Sequence, residues 1–172
     1  NGLRGTLSVG FTSSAAAHAF TPDTLRECRE RYPDIELVLA EHNADVQLPP
    51  ASLTKMMTAY VVANEMAAGR VHKDDMVVVS ENAWSQNPLF AGSSLMYIQP
   101  GVDVSVQDLE WGVVISSGND ATVALAEHVA GSEAVFAEMM NKAAQELGMK
   151  GSYFVNSHGL PDPRHLVTAR DL

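Results

Sequence analysis

The sequence predicts an α+β fold, a helical cluster packed on a sheet, and two observations carry that prediction. Long stretches with apolar residues at helical spacing are each closed by glycine: residues 52–68 before Gly69, "ATVALAEHVA" before Gly131 and "EAVFAEMMNKAAQEL" before Gly148. Glycine enters the left-handed conformation that ends helices at little steric cost. Between them, short runs such as "TLSVGF", "IELVLAE", "MVVVS", "SLMYI" and "SYFVN" read as strands, without a strict β-α-β rhythm.

In chain order, "TLSVGF" (6–11) alternates apolar and polar residues like a strand. A charged helix follows, starting near Pro22 and stopped by Pro33, and "IELVLAE" (35–41) is the second strand. The turn "NADVQLPP" leads into a helix from Ser52 to Ala68, whose Leu53, Met56, Met57, Tyr60, Val61 and Met66 cover most of its circumference and predict a central position. Strands at 76–80 and 94–98 flank a polar stretch with Trp84, Asn87, Pro88 and Gly92. Ser105, with Asp108 three residues on, caps a helix to about Ile115, which "SSGND" interrupts before the next helix opens; Ser132 caps the one after that. "SYFVN" returns to a strand, and Thr168 with Asp171 has the spacing of a helix start.

The balance of 11 Lys plus Arg against 21 Asp plus Glu gives a net charge of −10. That excludes a duplex-binding surface, because phosphate contacts need clustered cations, so no nucleic acid partner is expected. No apolar run reaches the roughly 18 to 20 residues needed to cross a bilayer. Cys28 stands alone, which rules out an internal disulfide framework and paired Cys ligands for zinc. The six histidines lie in no recognised ligand spacing, so neither a metal nor another cofactor is expected.

The chemistry-bearing stretch is "PPASLTKMM" (49–57). Ser52 and Lys55, three apart, share a helix face. A serine hydroxyl becomes a nucleophile when a neighbouring base takes its proton, and a lysine serves once burial or nearby cations lower its pKa. Read alone, Ser52 is equally an N-terminal capping residue and Lys55 a solvated side chain. A second element, Ser117-Gly118-Asn119, sits at a break between two helices and brings a further hydroxyl and a side-chain amide; read alone it is a turn. The two together match the first two of three motifs shared by penicillin-binding proteins and class A β-lactamases.

Residues from about 37 to 172 closely resemble the low-molecular-mass penicillin-binding proteins that are D-alanyl-D-alanine carboxypeptidases. "AEHNADVQLPPASLTKMMTAYVV", "AWSQNPLFAGSSLMYIQPG", "SGNDATVALAEHVAGSEAVF", "FVNSHGLPD" and "TARDL" follow in that family's order. The resemblance implies a β-lactamase/DD-peptidase-like α+β fold with an antiparallel sheet. It implies that Ser52 attacks the carbonyl of a terminal D-Ala-D-Ala to form an acyl-enzyme, that Lys55 accepts the serine proton, and that Ser117 relays a proton to the departing D-alanine. Asn119 would bond the substrate amide and help position Lys55. Gly118, Ser93, Ser94 and His158 are candidate substrate contacts, although His158 also reads as a structural residue. The implied partners are a peptidoglycan stem peptide ending in D-Ala-D-Ala and β-lactams as covalent inhibitors. The implied location is the periplasm, at the inner membrane through a C-terminal anchor; the chain shows neither an export signal nor that anchor.

Two departures stand out. No Lys-Thr-Gly occurs in the chain, so the fold is expected to be truncated before the third-motif strand, whose cation holds the substrate carboxylate and whose backbone supplies part of the oxyanion hole. Residues 2–39 instead resemble the start of the effector-binding domain of LysR-type transcriptional regulators, with a loop of Thr12, Ser13 and Ser14 placed for a small anion. The expected organisation is therefore a strand-helix-strand segment over 1–40 joined to a partial DD-peptidase catalytic domain over 41–172. Alternative readings are a small-anion-binding fragment of such a regulator and a penicillin-binding fragment without turnover.

Overall fold

The computed structural model describes residues 5–11, 20–41 and 43–172. The chain forms two compact units, Asn1–Val46 and Gln47–Leu172. In the first, β1 (Gly5–Phe11) and β2 (Ile35–Glu41) pair in parallel, with Gly5 opposite Ile35 and Phe11 opposite Glu41. Parallel neighbours need a crossover, and α1 (Phe20–Arg31) lies between them in the chain. The helix starts two residues before Pro22. Proline is tolerated there because the first-turn N–H groups have no intrahelical partner. It stops before Pro33, whose ring disfavours helical geometry at Tyr32. Thr6 Oγ1 donates to Glu36 at 3.1 Å across the pair. Thr12, Ser13 and Ser14 lie outside the described residues.

The second unit is built from four helices and short antiparallel pairs. β3 (Gln47–Leu48) pairs with β6 (Val167–Thr168), and β4 (Met76–Val78) with β5 (Asp103–Ser105). The helices are α2 (Thr54–Ala67), α3 (Val106–Ser116), α4 (Asn119–Ala130) and α5 (Glu133–Glu146). Ser105 and Ser132 cap α3 and α5 as their spacing predicts, accepting from Asp108 N and Val135 N. Gly69, Gly131 and Gly148 take positive φ after α2, α4 and α5.

Four expectations are corrected. The central helix is α4, buried from Asn119 through Ala126; it contributes Ala121, Val123, Ala124 and Leu125 to one apolar cluster and Ala126 to the other. Helix α2 instead exposes Met56 and Tyr60, as the turn before it exposes Leu53; apolar residues all round a helix do not reveal which of its faces finds a partner. Residues 94–98 form no strand, because Met96 N and Ile98 N donate to the buried Asp120 carboxylate rather than to a neighbouring strand. Residues 152–156 contribute a single bridge, Tyr153 to Leu166. At Thr168 the predicted capping bond forms, Oγ1 accepting from Asp171 N at 3.1 Å, but it closes a turn.

Candidate active site

The entry into α2 builds the site. Pro49 and Pro50 precede Ala51, which is held at φ +47°, and a 3-10 turn over Ala51–Leu53 delivers Ser52 just before the helix proper. A non-glycine residue there is strained by roughly 1–3 kcal/mol. The turn is sustained from outside by Gly159, whose backbone lies against the Ala51 carbonyl: a Cβ on Gly159 would come 1.9 Å from that oxygen and 2.8 Å from Thr54 Oγ1.

Ser52 opens onto a cleft of about 430 Å³, whose walls include Pro49, Pro50, Ser93, Ser94, Asn119, His158, Leu160 and Pro161. Beneath it Lys55 is buried, 5% exposed. Its Nζ donates to Asn119 Oδ1 at 2.6 Å and to the His158 carbonyl at 2.9 Å, and sits 3.4 Å from Ser52 Oγ. Burial pulls the Lys55 pKa down from 10.5 to about 8. A neutral amine has two hydrogens and one lone pair. With both hydrogens committed to the two carbonyl oxygens, the lone pair is left for the serine proton.

The remaining predicted residues divide. Asn119 uses Oδ1 on Lys55 and lines the cleft. The Ser93–Ser94 loop is tied to α4 by Asn119 N, which donates to Ser94 O at 2.9 Å, and by Asp120. His158 meets Lys55 through its backbone, while its ring, 3% exposed, packs edge-on to Phe90 with Nε2 3.4 Å from Glu133. Ser117 and Gly118 are not brought to the cleft wall. Ser117 adopts the left-handed conformation after α3, and Gly118 lets Met96 pass, a Cβ there coming 3.0 Å from Met96 N. Among the described residues, no group of three or more His, Cys, Asp or Glu is arranged to hold a metal.

Residues that sequence reasoning missed support this centre. Glu133 Oε1 accepts from Ser157 N and Oγ, fixing the loop that presents the His158 carbonyl. Thr58 Oγ1 donates to Ser157 O at 2.6 Å. Thr54 is bonded to His165 at 2.8 Å. Only Thr54, inside the S-x-x-K segment, carried a signal in its position.

The buried imidazole of His158 has a pH consequence. Burial lowers its pKa to about 4, against the pull of Glu133 and helped by Lys55 and His165; burial also lowers that of His165. Between about 6.5 and about 4 the unfolded chain binds a proton that the folded chain refuses, so stability falls as pH drops through this window, by at most about 3 kcal/mol for His158. Urea unfolding at pH 7 and 4.5 checks this, with a shallower pH dependence expected in His158→Gln.

Comparisons with known proteins place this geometry. Residues 34–172 match the family model of the D-alanyl-D-alanine carboxypeptidases, peptidase S11. The D-alanyl-D-alanine carboxypeptidase DacC of Escherichia coli K12 is 51% identical over 136 residues, covering 78% of this chain and 34% of that protein. Penicillin binding protein 6B of Escherichia coli superposes with a TM-score of 0.73 at 46% identity, over 76% of this chain and 41% of that one. Penicillin binding protein 5 of Haemophilus influenzae gives 0.73 at 49%, over 76% and 37%. The chain thus spans about a third of the length of its curated relatives. The regulator resemblance of residues 2–39 is not borne out, and the family match takes in residues 34–39 of that stretch. With its α+β fold, its Ser52–Lys55–Asn119 cluster and these matches, the chain belongs to the D-alanyl-D-alanine carboxypeptidase family.

Proposed function

We propose that residues 41–172 are part of a serine D-Ala-D-Ala carboxypeptidase domain. They carry its acylation machinery: Ser52 the nucleophile, Lys55 the base, Asn119 the amide that orients both lysine and substrate. The single observation behind this reading is the Lys55 amine, buried with two carbonyl acceptors and 3.4 Å from Ser52 Oγ. Lys55 takes the proton of Ser52 as its oxygen attacks the penultimate D-Ala carbonyl, and the tetrahedral adduct collapses as D-alanine leaves with a proton. Water then attacks the acyl-serine. Ser117 is the proposed relay of a proton to the leaving amine. Ser93, Ser94 and His158, which line the cleft, are the proposed substrate contacts, while Gly118 makes room for Met96 beside it.

The substrate proposed is a peptidoglycan stem peptide, β-lactams acylate the same serine, and the site of action is the periplasmic face of the inner membrane. The relatives' names as D-alanyl-D-alanine carboxypeptidases and penicillin-binding proteins support the substrate and the β-lactam reaction. Among the described residues no helix is long and apolar enough to cross a membrane.

The test is D-alanine release from a synthetic peptide ending in D-Ala-D-Ala, by wild type and Ser52→Ala. Release lost with Ser52 supports the reading. A stable penicillin adduct without D-alanine release would instead select a second reading, acylation without turnover.

A further inference from the structure

We propose that His165 is a positioning residue for the Ser52–Lys55 pair, acting through Thr54; this rests on the acylation reading above. The tautomer of His165 follows from its neighbours. Nδ1 lies 3.1 Å from Val155 N and 3.4 Å from Asn156 N. Both are donors, so Nδ1 accepts and carries no hydrogen, and the ring proton sits on Nε2. Nε2–H then donates to Thr54 Oγ1 at 2.8 Å. The ring is 1% exposed and stands edge-on to Phe154 at 5.7 Å, so burial keeps it neutral.

Thr54 is the first residue of α2, fully buried, and lies between Ser52 and Lys55 in the chain. One turn on, Thr58 donates to Ser157 O, and Lys55 donates to His158 O. The buried face of α2 is therefore fastened at three points to the segment that includes residues 155–165. His165 grips both sides of that junction: the backbone of Val155 and Asn156 with one nitrogen, the helix start with the other. Without it, the first turn of α2 is free to rotate against the loop whose carbonyl orients the Lys55 amine. Charged and titratable groups near the ring are Asp162 and Glu133, which favour its proton, and His158.

The test measures acylation by a fluorescent penicillin from pH 6 to 10 for wild type, Thr54→Val, His165→Phe, the double variant and His165→Gln, each with its thermal midpoint. Displacements of this kind cost about 10- to 100-fold in rate. Thr54→Val and His165→Phe are each expected to lose that much and to move the pH midpoint upward from about 8, as Lys55 becomes better hydrated. The double variant is expected to be no slower than the slower single, and His165→Gln to recover part of the rate. Unchanged rates, multiplying losses in the double variant, or losses with an unmoved midpoint would overturn the proposal.

Two readouts do not need acylation. Long-range ¹⁵N NMR of the wild type is expected to show His165 as the Nε2–H tautomer; an Nδ1–H tautomer overturns the proposal even if the variants fail to fold. If wild type forms no adduct, the acylation reading fails, and NMR titration of the Lys55 amine in wild type and Thr54→Val still decides the inference. A raised Lys55 pKa in the variant supports it, and an unchanged one overturns it.

Discussion

Lys55→Met is expected to slow acylation of Ser52 by about 10²- to 10⁴-fold, the usual contribution of a positioned general base. The methionine keeps much of the volume in the buried slot but removes the amine. Asn119 Oδ1 and the His158 carbonyl, now both bonded to Nζ, lose their donor. Two unsatisfied acceptors cost about 1–3 kcal/mol each, while removal of a buried ammonium offsets part of that loss. Parallel measurements of penicillin acylation and urea unfolding separate the loss of rate from the loss of stability. In the wild type the same chemistry predicts a rate that rises with pH through about 8, as the Lys55 amine loses its proton.

Gly159→Ala is expected to be the most damaging small change in the site. Gly159 combines φ +90° with a backbone placed so that a Cβ would lie 1.9 Å from Ala51 O. The obstacle is backbone, so no side-chain rotation relieves it. The loop must move away from Ser52 or the strained turn at Ala51 must relax. A cost of about 3 kcal/mol or more follows from overpacking added to an unfavourable φ, together with a roughly 100-fold loss of acylation through misplacement of Ser52. Gly148→Ala is the control, since φ is +79° there but nothing lies within 4 Å. It bears only the conformational penalty, about 1–2 kcal/mol, and acylation should be unaffected. Thermal midpoints and acylation rates of the two variants isolate the steric term.

Much of this centre was legible in the sequence because its chemistry is local. Ser52 and Lys55 are three residues apart, and Asn119 belongs to a short motif at a helix break. Capping pairs such as Ser105 with Asp108 were readable for the same reason. What the sequence could not show depends on contacts between distant segments. Asp120 takes the N–H groups of Met96 and Ile98 and converts an apparent strand into a tethered loop. His165 reaches Thr54 across 111 residues, and its sequence neighbours give no hint of that partner. The burial of α4 ahead of α2 is likewise decided by which apolar faces meet, not by how apolar each helix is.

The central claim is that Ser52 is a nucleophile activated by Lys55 within this chain. The most direct measurement is the intact mass of the purified 172-residue protein after incubation with a fluorescent penicillin, beside Ser52→Ala. A single covalent adduct is expected on the wild type, mapped to the peptide containing Ser52 and absent from the variant. A folded wild-type sample with no adduct, or an adduct that survives Ser52→Ala, would contradict it.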